Sequence, residues 1–79
     1  MILADKRSVI GARLKDARKA MGYSLEYVAA ACNIQQYQTV SKWESAQTIP
    51  ELEKILQLGA LFGVTTDYLL KDDMELEEF

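Results

Sequence analysis

Gln35, Gln36, Tyr37 and Gln38 put three carboxamides and a phenol within four residues, groups that both donate and accept hydrogen bonds. They lie inside Ser24–Glu44, SLEYVAAACNIQQYQTVSKWE, which reads as two short helices with a break at Asn33-Ile34. The first is small and Ala-rich. The second opens on the polar cluster and closes on a core-type Trp43. A helix gains nothing for its folding by gathering glutamines on its first turn. The same groups do fit a base edge: a Gln amide can bridge adenine N6 and N7 with two hydrogen bonds, worth about 1–3 kcal/mol of discrimination. The positive end of the helix dipole at that terminus also favours phosphates. A helix entering the major groove by its N-terminal end uses both effects, so the stretch points to a helix-turn-helix DNA reader. The bland alternative is a solvated polar face.

Such a reader needs a scaffold, and the punctuation of the chain supplies one. Ser8 is placed to cap a first helix whose apolar positions are Val9, Ile10, Leu14, Ala17 and Met21. Gly22 stops it where a left-handed residue is needed. Ser24 caps the second helix, with Val28, Ala29 and Cys32 inward, and Asn33 takes the next left-handed stop. The third helix is expected from about Gln36 to Ser45, with Val40 and Trp43 inward. Residues 45–49 connect to a fourth helix, with Pro50 in its first turn. Its apolar stripe is Leu52, Ile55, Leu56, Leu58, Leu61 and Phe62, and Gly63 ends it. Thr65 or Thr66 caps a short fifth helix over Asp67–Lys71. Nothing alternates with period two over a useful length, so the expected fold is all-α: five helices in one compact bundle over residues 8–71, between an arm (1–7) and an acidic tail (72–79).

Seventy-nine residues make one small domain. No apolar run approaches the roughly 18 residues of a membrane span. The charged start, Met1–Arg7, is unlike a signal peptide, so a cytoplasmic protein without membrane contact is expected. With no histidine and one cysteine, neither an internal disulfide nor a zinc site is expected. No cofactor is expected. Catalysis has little support, since there is no Gly-rich phosphate loop and no Ser or Cys beside a base. Cys32 reads as a small core residue.

The net charge of −3 is unevenly placed. Residues 72–79, DDMELEEF, hold five acids and no base; the remaining nine basic and seven acidic residues give a net of +2. Lys6–Lys19 alone has six bases against Asp16. Arg13, Lys15 and Lys19 read as exposed helix residues, some of them facing away from DNA. A weakly positive domain binds DNA with modest, salt-sensitive non-specific affinity.

The chain resembles the Cro/C1-type helix-turn-helix family, the lambda-repressor-like five-helix domain of phage repressors and many bacterial regulators. The resemblance runs over Val9–Leu70 and rests on IGARLKDARKAMGYS, VAAACNI, TVSKWE, Pro50 followed by LEKILQLGALFGV, and TTDYLL, in that order. It implies that Ser24–Cys32 is the supporting helix and the third helix the recognition helix. Gln36, Tyr37, Gln38, Ser41 and Lys42 take its groove-facing positions, with Ser24, Gln35 and Thr39 completing the candidate DNA-binding set. Arg18 and Glu44 match a family pair that locks the first helix to the end of the third. The fifth helix and the segment before it match the family's dimer surface, which implies a homodimer on a two-fold site. Three departures stand out. Leu25 replaces a phosphate-contacting Gln after the cap. Ala46, Gln47 and Thr48 replace a Gly followed by Lys or Arg. The stretch from Asn33 to Trp43 is one residue longer than usual.

Two functions follow. The first is a sequence-specific DNA-binding transcriptional regulator, partnered by double-stranded DNA. The second uses the same fold as a protein-interaction module, antitoxin-like or anti-repressor-like, with weak or no DNA binding. Leu25, the lack of basic residues after Glu44 and the acidic tail favour the second, and Met74, Leu76 and Phe79 among the acids suit docking on a protein partner or second subunit. A solvated end is the alternative for that tail. Within the candidate set, Tyr37 suits a phosphate, a thymine methyl, or simply a cover over the turn, and Lys42 suits a phosphate.

Overall fold

Lys6–Met21 forms α1, the longest helix of a computed structural model that describes residues 6–70. Ser8 lies within this helix rather than capping it. Residues 1–5 and 71–79 lie outside the described residues, and with them most of the expected arm and the whole acidic tail. The other helices are α2 (Leu25–Ala31), α3 (Tyr37–Glu44), α4 (Leu52–Phe62) and α5 (Thr66–Leu70). No strand occurs among the described residues, and none of their helices is long and apolar enough to cross a membrane.

The inward stripes converge on one core. It takes Ile10, Leu14 and Ala17 from α1, Val28 and Ala29 from α2 with Cys32 at its end, and Val40 and Trp43 from α3. Ile55, Leu58 and Phe62 of α4 and Leu69 of α5 complete it. Each fully buried Leu or Val contributes about 1.5–3 kcal/mol against the conformational entropy of folding. The expected α4 stripe is too wide. Leu52 is 67% exposed and Leu56 54%, because an 11-residue helix turns one face to the core and these two lie one turn apart on another. Pro50 is buried but precedes the N-cap, Glu51, so it sits before the first turn of α4, not in it.

Four helices end in the same way. After α1, Tyr23 N–H donates to Arg18 O and Gly22 N–H to Lys19 O (3.1 and 3.0 Å). After α2, Ile34 N–H donates to Ala29 O (2.8 Å); after α3, Gln47 N–H to Lys42 O (2.9 Å); after α4, Val64 N–H to Gly59 O (3.0 Å). The residue at each reversal has positive φ: Gly22, Asn33, Ala46 and Gly63. Gly22, Asn33 and Gly63 match expectation, whereas Ala46 carries a Cβ in a conformation that costs most residues about 1–2 kcal/mol.

Candidate nucleic-acid interface

Ser24 starts α2 with extended backbone, and its Oγ accepts from Tyr27 N–H at 2.9 Å. That uses a lone pair of a candidate DNA contact and leaves its hydroxyl proton at the surface. Leu25 next to it packs against the core, which accounts for an apolar side chain there. Asn33 then reverses the chain with φ 59° and sends it through Ile34 and Gln35 to Gln36, the N-cap of α3. The Gln36 side chain takes no part in capping.

The polar cluster lies at the surface. Gln35, Gln36, Tyr37, Gln38 and Lys42 are exposed, while Thr39 and Ser41 are half-buried. Gln38, Ser41 and Lys42 follow the three- and four-residue spacing of one helix face, opposite buried Val40 and Trp43. Tyr37 is 41% exposed. With Glu26, Ala29, Ala30, Ile34 and Gln35 it lines an open hollow of about 150 Å³ between α2 and the start of α3. Glu26 puts a carboxylate at that rim, a charge that repels phosphate there and that the reading of the motif had passed over.

The C-terminal end of α3 is held from α1. Arg18 donates from Nε to Glu44 Oε2 (2.6 Å) and from Nη2 to Glu44 Oε1 (3.1 Å), a fork that matches the carboxylate with both hydrogen bonds. Its Nη1 donates to Tyr23 O at 2.9 Å, tying the same guanidinium to the α1–α2 corner. The pair is mostly shielded, with side chains 13% and 9% exposed. The hydrogen bonds it donates to Glu44 hold the Arg18 guanidinium above its ordinary pKa, against an opposing effect of burial. Tyr23 itself stacks at a tilt on Tyr27, with centroids 4.5 Å apart.

Three further residues join helices across the fold and gave no sign in the hydrophobic periodicity. Gly11 of α1 lies against the last turn of α3, where a Cβ would fall 2.5 Å from Trp43 O and 2.8 Å from Glu44 O. Lys54 of α4 donates from Nζ to Cys32 O at 2.6 Å, in the α2–α3 turn. Arg13 is more than the exposed helix residue expected: it donates to Tyr68 O at 2.7 Å and lies over the Tyr68 ring, joining α1 to α5. Cys32 is buried, as expected, and desolvation pushes its thiol pKa up, partly offset by the charge of Lys54.

The same architecture occurs in known proteins. The P22 c2 repressor in complex with a synthetic operator superposes with a TM-score of 0.76 at 28% identity, over 82% of this chain and 97% of that one. The restriction-modification controller protein C.AhdI from Aeromonas hydrophila gives 0.75 at 25% identity, over 85% and 100%. In sequence, the chain is 38% identical over 64 residues to the HTH-type transcriptional regulator ImmR of Bacillus subtilis (strain 168), 81% of this chain and 50% of that protein. It is 36% identical over 63 residues to the SPbeta prophage-derived uncharacterized HTH-type transcriptional regulator YonR of the same organism, 80% and 57%. The chain thus spans about half the length of the curated relatives it matches. The helix-turn-helix family model matches residues 14–69, and with the α2–turn–α3 unit and the Arg18–Glu44 lock in place, this chain belongs to the Cro/C1-type helix-turn-helix family.

Proposed function

We propose that the chain is a sequence-specific DNA-binding transcriptional regulator that reads the major groove with α3. One observation carries this reading: Gln35, Gln36, Tyr37, Gln38 and Lys42 stand exposed at the start and on the outer face of a helix whose other face is locked into the core. Gln38 reads a base edge and Lys42 meets a phosphate. Ser24, Thr39 and Ser41 supply hydroxyls to the backbone on either side. The names of the relatives and the operator bound to the P22 c2 repressor support it. Such a regulator works in the cytoplasm, where its DNA is, and we assign it no catalytic role.

The regulator acts as a homodimer on two half-sites about one helical turn apart. Exposed Leu52 and Leu56 on α4 and exposed Tyr68 on α5, with Ile49 before α4, are among the exposed apolar groups that a second copy could cover. The interaction-module reading retains one favouring observation: Leu25 faces the core and Glu26 the rim, so the start of α2 offers phosphate little beyond Ser24.

Fluorescence anisotropy of the full chain with duplexes enriched from a randomised pool, against unenriched pool DNA, tests the assignment. The regulator reading expects one enriched sequence class and affinity that falls log-linearly with salt. Absence of any enriched class at low salt would leave the interaction module.

A further inference from the structure

We infer that Lys54 is a positioning residue for the reading helix: from α4 it holds the turn that sets where α3 begins. This rests on the DNA-reading assignment for its consequence, though not for its geometry. The turn between α2 and α3 is short, and every residue of the polar cluster is placed by it. Its Cys32 carbonyl oxygen accepts from Lys54 Nζ at 2.6 Å, and among the described residues no backbone N–H outside the helices donates to it. A charged donor to a part-buried carbonyl is worth more than a neutral one. It also answers a deficit, because the last turn of α2 has no basic residue to meet the negative end of its dipole. Lys54 supplies that charge from 22 positions away.

The Lys54 ammonium is steadied by Gln57 Oε1 at 3.4 Å, one turn along α4. Its stem rises from an element anchored in the core by Ile55 and Leu58 on either side of that turn. The turn is therefore referenced to α4, while the far end of α3 is referenced to α1 through Glu44. With the turn leading into α3 tied to α4 and the far end of α3 tied to α1, the register of Gln36, Tyr37 and Gln38 against a base ladder is constrained from both sides.

Lys54→Met keeps the stem and removes the donor. In hydrogen exchange on the full chain, the amides of Ile34, which closes the turn onto α2, and Thr39, in the first turn of α3, should open about tenfold more often in this variant, with Leu14 and Ala17 in α1 unchanged. Selectivity for the enriched duplex over pool DNA should fall severalfold at an unaltered salt slope, and Lys54→Arg should restore both readouts. A salt slope reduced by about one unit with selectivity kept would make Lys54 a phosphate contact and overturn the inference. Exchange that rises equally throughout the chain would make it a general stabiliser and overturn it as well. If the parent shows no sequence preference, the DNA assignment fails by itself, and the exchange pattern alone decides the role of Lys54.

Discussion

Gly11 and Trp43 meet backbone to backbone: the Trp43 carbonyl oxygen occupies the space where a Cβ on residue 11 would lie, 2.5 Å away. The last turn of α3 thus rests directly on α1, and the obstacle is main chain, which cannot rotate aside as a side chain would. Gly11→Ala should force the helices apart and cost roughly 1–3 kcal/mol, although alanine favours helix by about 1 kcal/mol in an exposed position. Urea denaturation measures the balance. A variant as stable as the parent would show that α1 and α3 can separate without loss.

The Arg18–Glu44 fork should behave as a half-buried pair. Arg18→Met strands the Glu44 carboxylate and should cost about 2–4 kcal/mol, near the lower end for a buried pair because both groups keep some solvent. Adding Glu44→Leu should recover part of the loss, since two apolar groups leave no orphan charge. Thermal melts of Arg18→Met, Glu44→Leu and the double variant give the coupling, and additive losses would mean that the two side chains act independently.

Cys32 gives the stability a pH dependence of known sign. Burial raises its pKa in the folded state, so on going alkaline the unfolded chain loses the thiol proton first. The unfolded state then binds fewer protons than the folded one, and stability falls as pH rises above about 8.5, levelling off only beyond the raised folded value. Cys32→Ala should remove this part of the decline between about pH 8 and pH 10, as read by urea midpoints. An identical slope in parent and variant would assign the decline to other groups.

Ala46 ends α3 with φ 68°, where Gly22, Asn33 and Gly63 serve the other helices. Ala46→Gly should relieve the left-handed Cβ and stabilise the fold by roughly 0.5–1 kcal/mol after the added freedom of the unfolded chain is counted. Denaturation midpoints should rise, with DNA affinity unaltered because Ala46 is at the far end of α3 from the glutamines. A lower midpoint would argue that the methyl group packs usefully.

Base reading by Gln38 has its own signature. Gln38→Ala should lose about 1–3 kcal/mol on the enriched duplex and much less on pool DNA, whereas Lys42→Ala should weaken both and reduce the salt slope by about one unit. Equal losses from Gln38→Ala on both DNAs would restrict that side chain to the backbone.

What the sequence discloses and what it conceals divides along a physical line. The Ser24 cap, the stops at Gly22, Asn33 and Gly63, and the inward Val28, Ala29, Cys32, Val40 and Trp43 depend on neighbours within one or two turns, which periodicity samples. The Thr65 cap is of the same kind: given the choice of Thr65 or Thr66, Thr65 Oγ1 accepts from Tyr68 N–H at 3.0 Å. Arg18–Glu44 spans 26 positions and was visible only through the resemblance of the whole pattern. Gly11, Lys54 and Arg13 act across helix crossings whose angle and depth no local pattern encodes. Ala46 was concealed for another reason. Composition flags glycine and asparagine at left-handed stops, and an alanine there is invisible until φ is known, although the departure from the family's glycine marked the place. Ser8 and Pro50 misled because each is a good terminus signal that here falls elsewhere, Ser8 within α1 and Pro50 before the N-cap of α4.

The inner and outer faces of α3 are separated by half-buried Thr39, Ser41 and Glu44, and the exposed polar cluster continues back through the N-cap to Gln35. Val40 and Trp43 answer to the core, while Gln35, Gln36, Tyr37, Gln38 and Lys42 answer to solvent. Substitution at Gln35, Gln36, Gln38 and Lys42 should therefore disturb folding little, Tyr37 more because it lines the hollow against α2, and under the proposed function such changes would alter the preferred DNA by single steps within a folded scaffold. A library randomised at those five positions should retain the parent's melting behaviour in most members while scattering widely in the DNA they prefer. The molecule is in this sense a fixed handle with an interchangeable key.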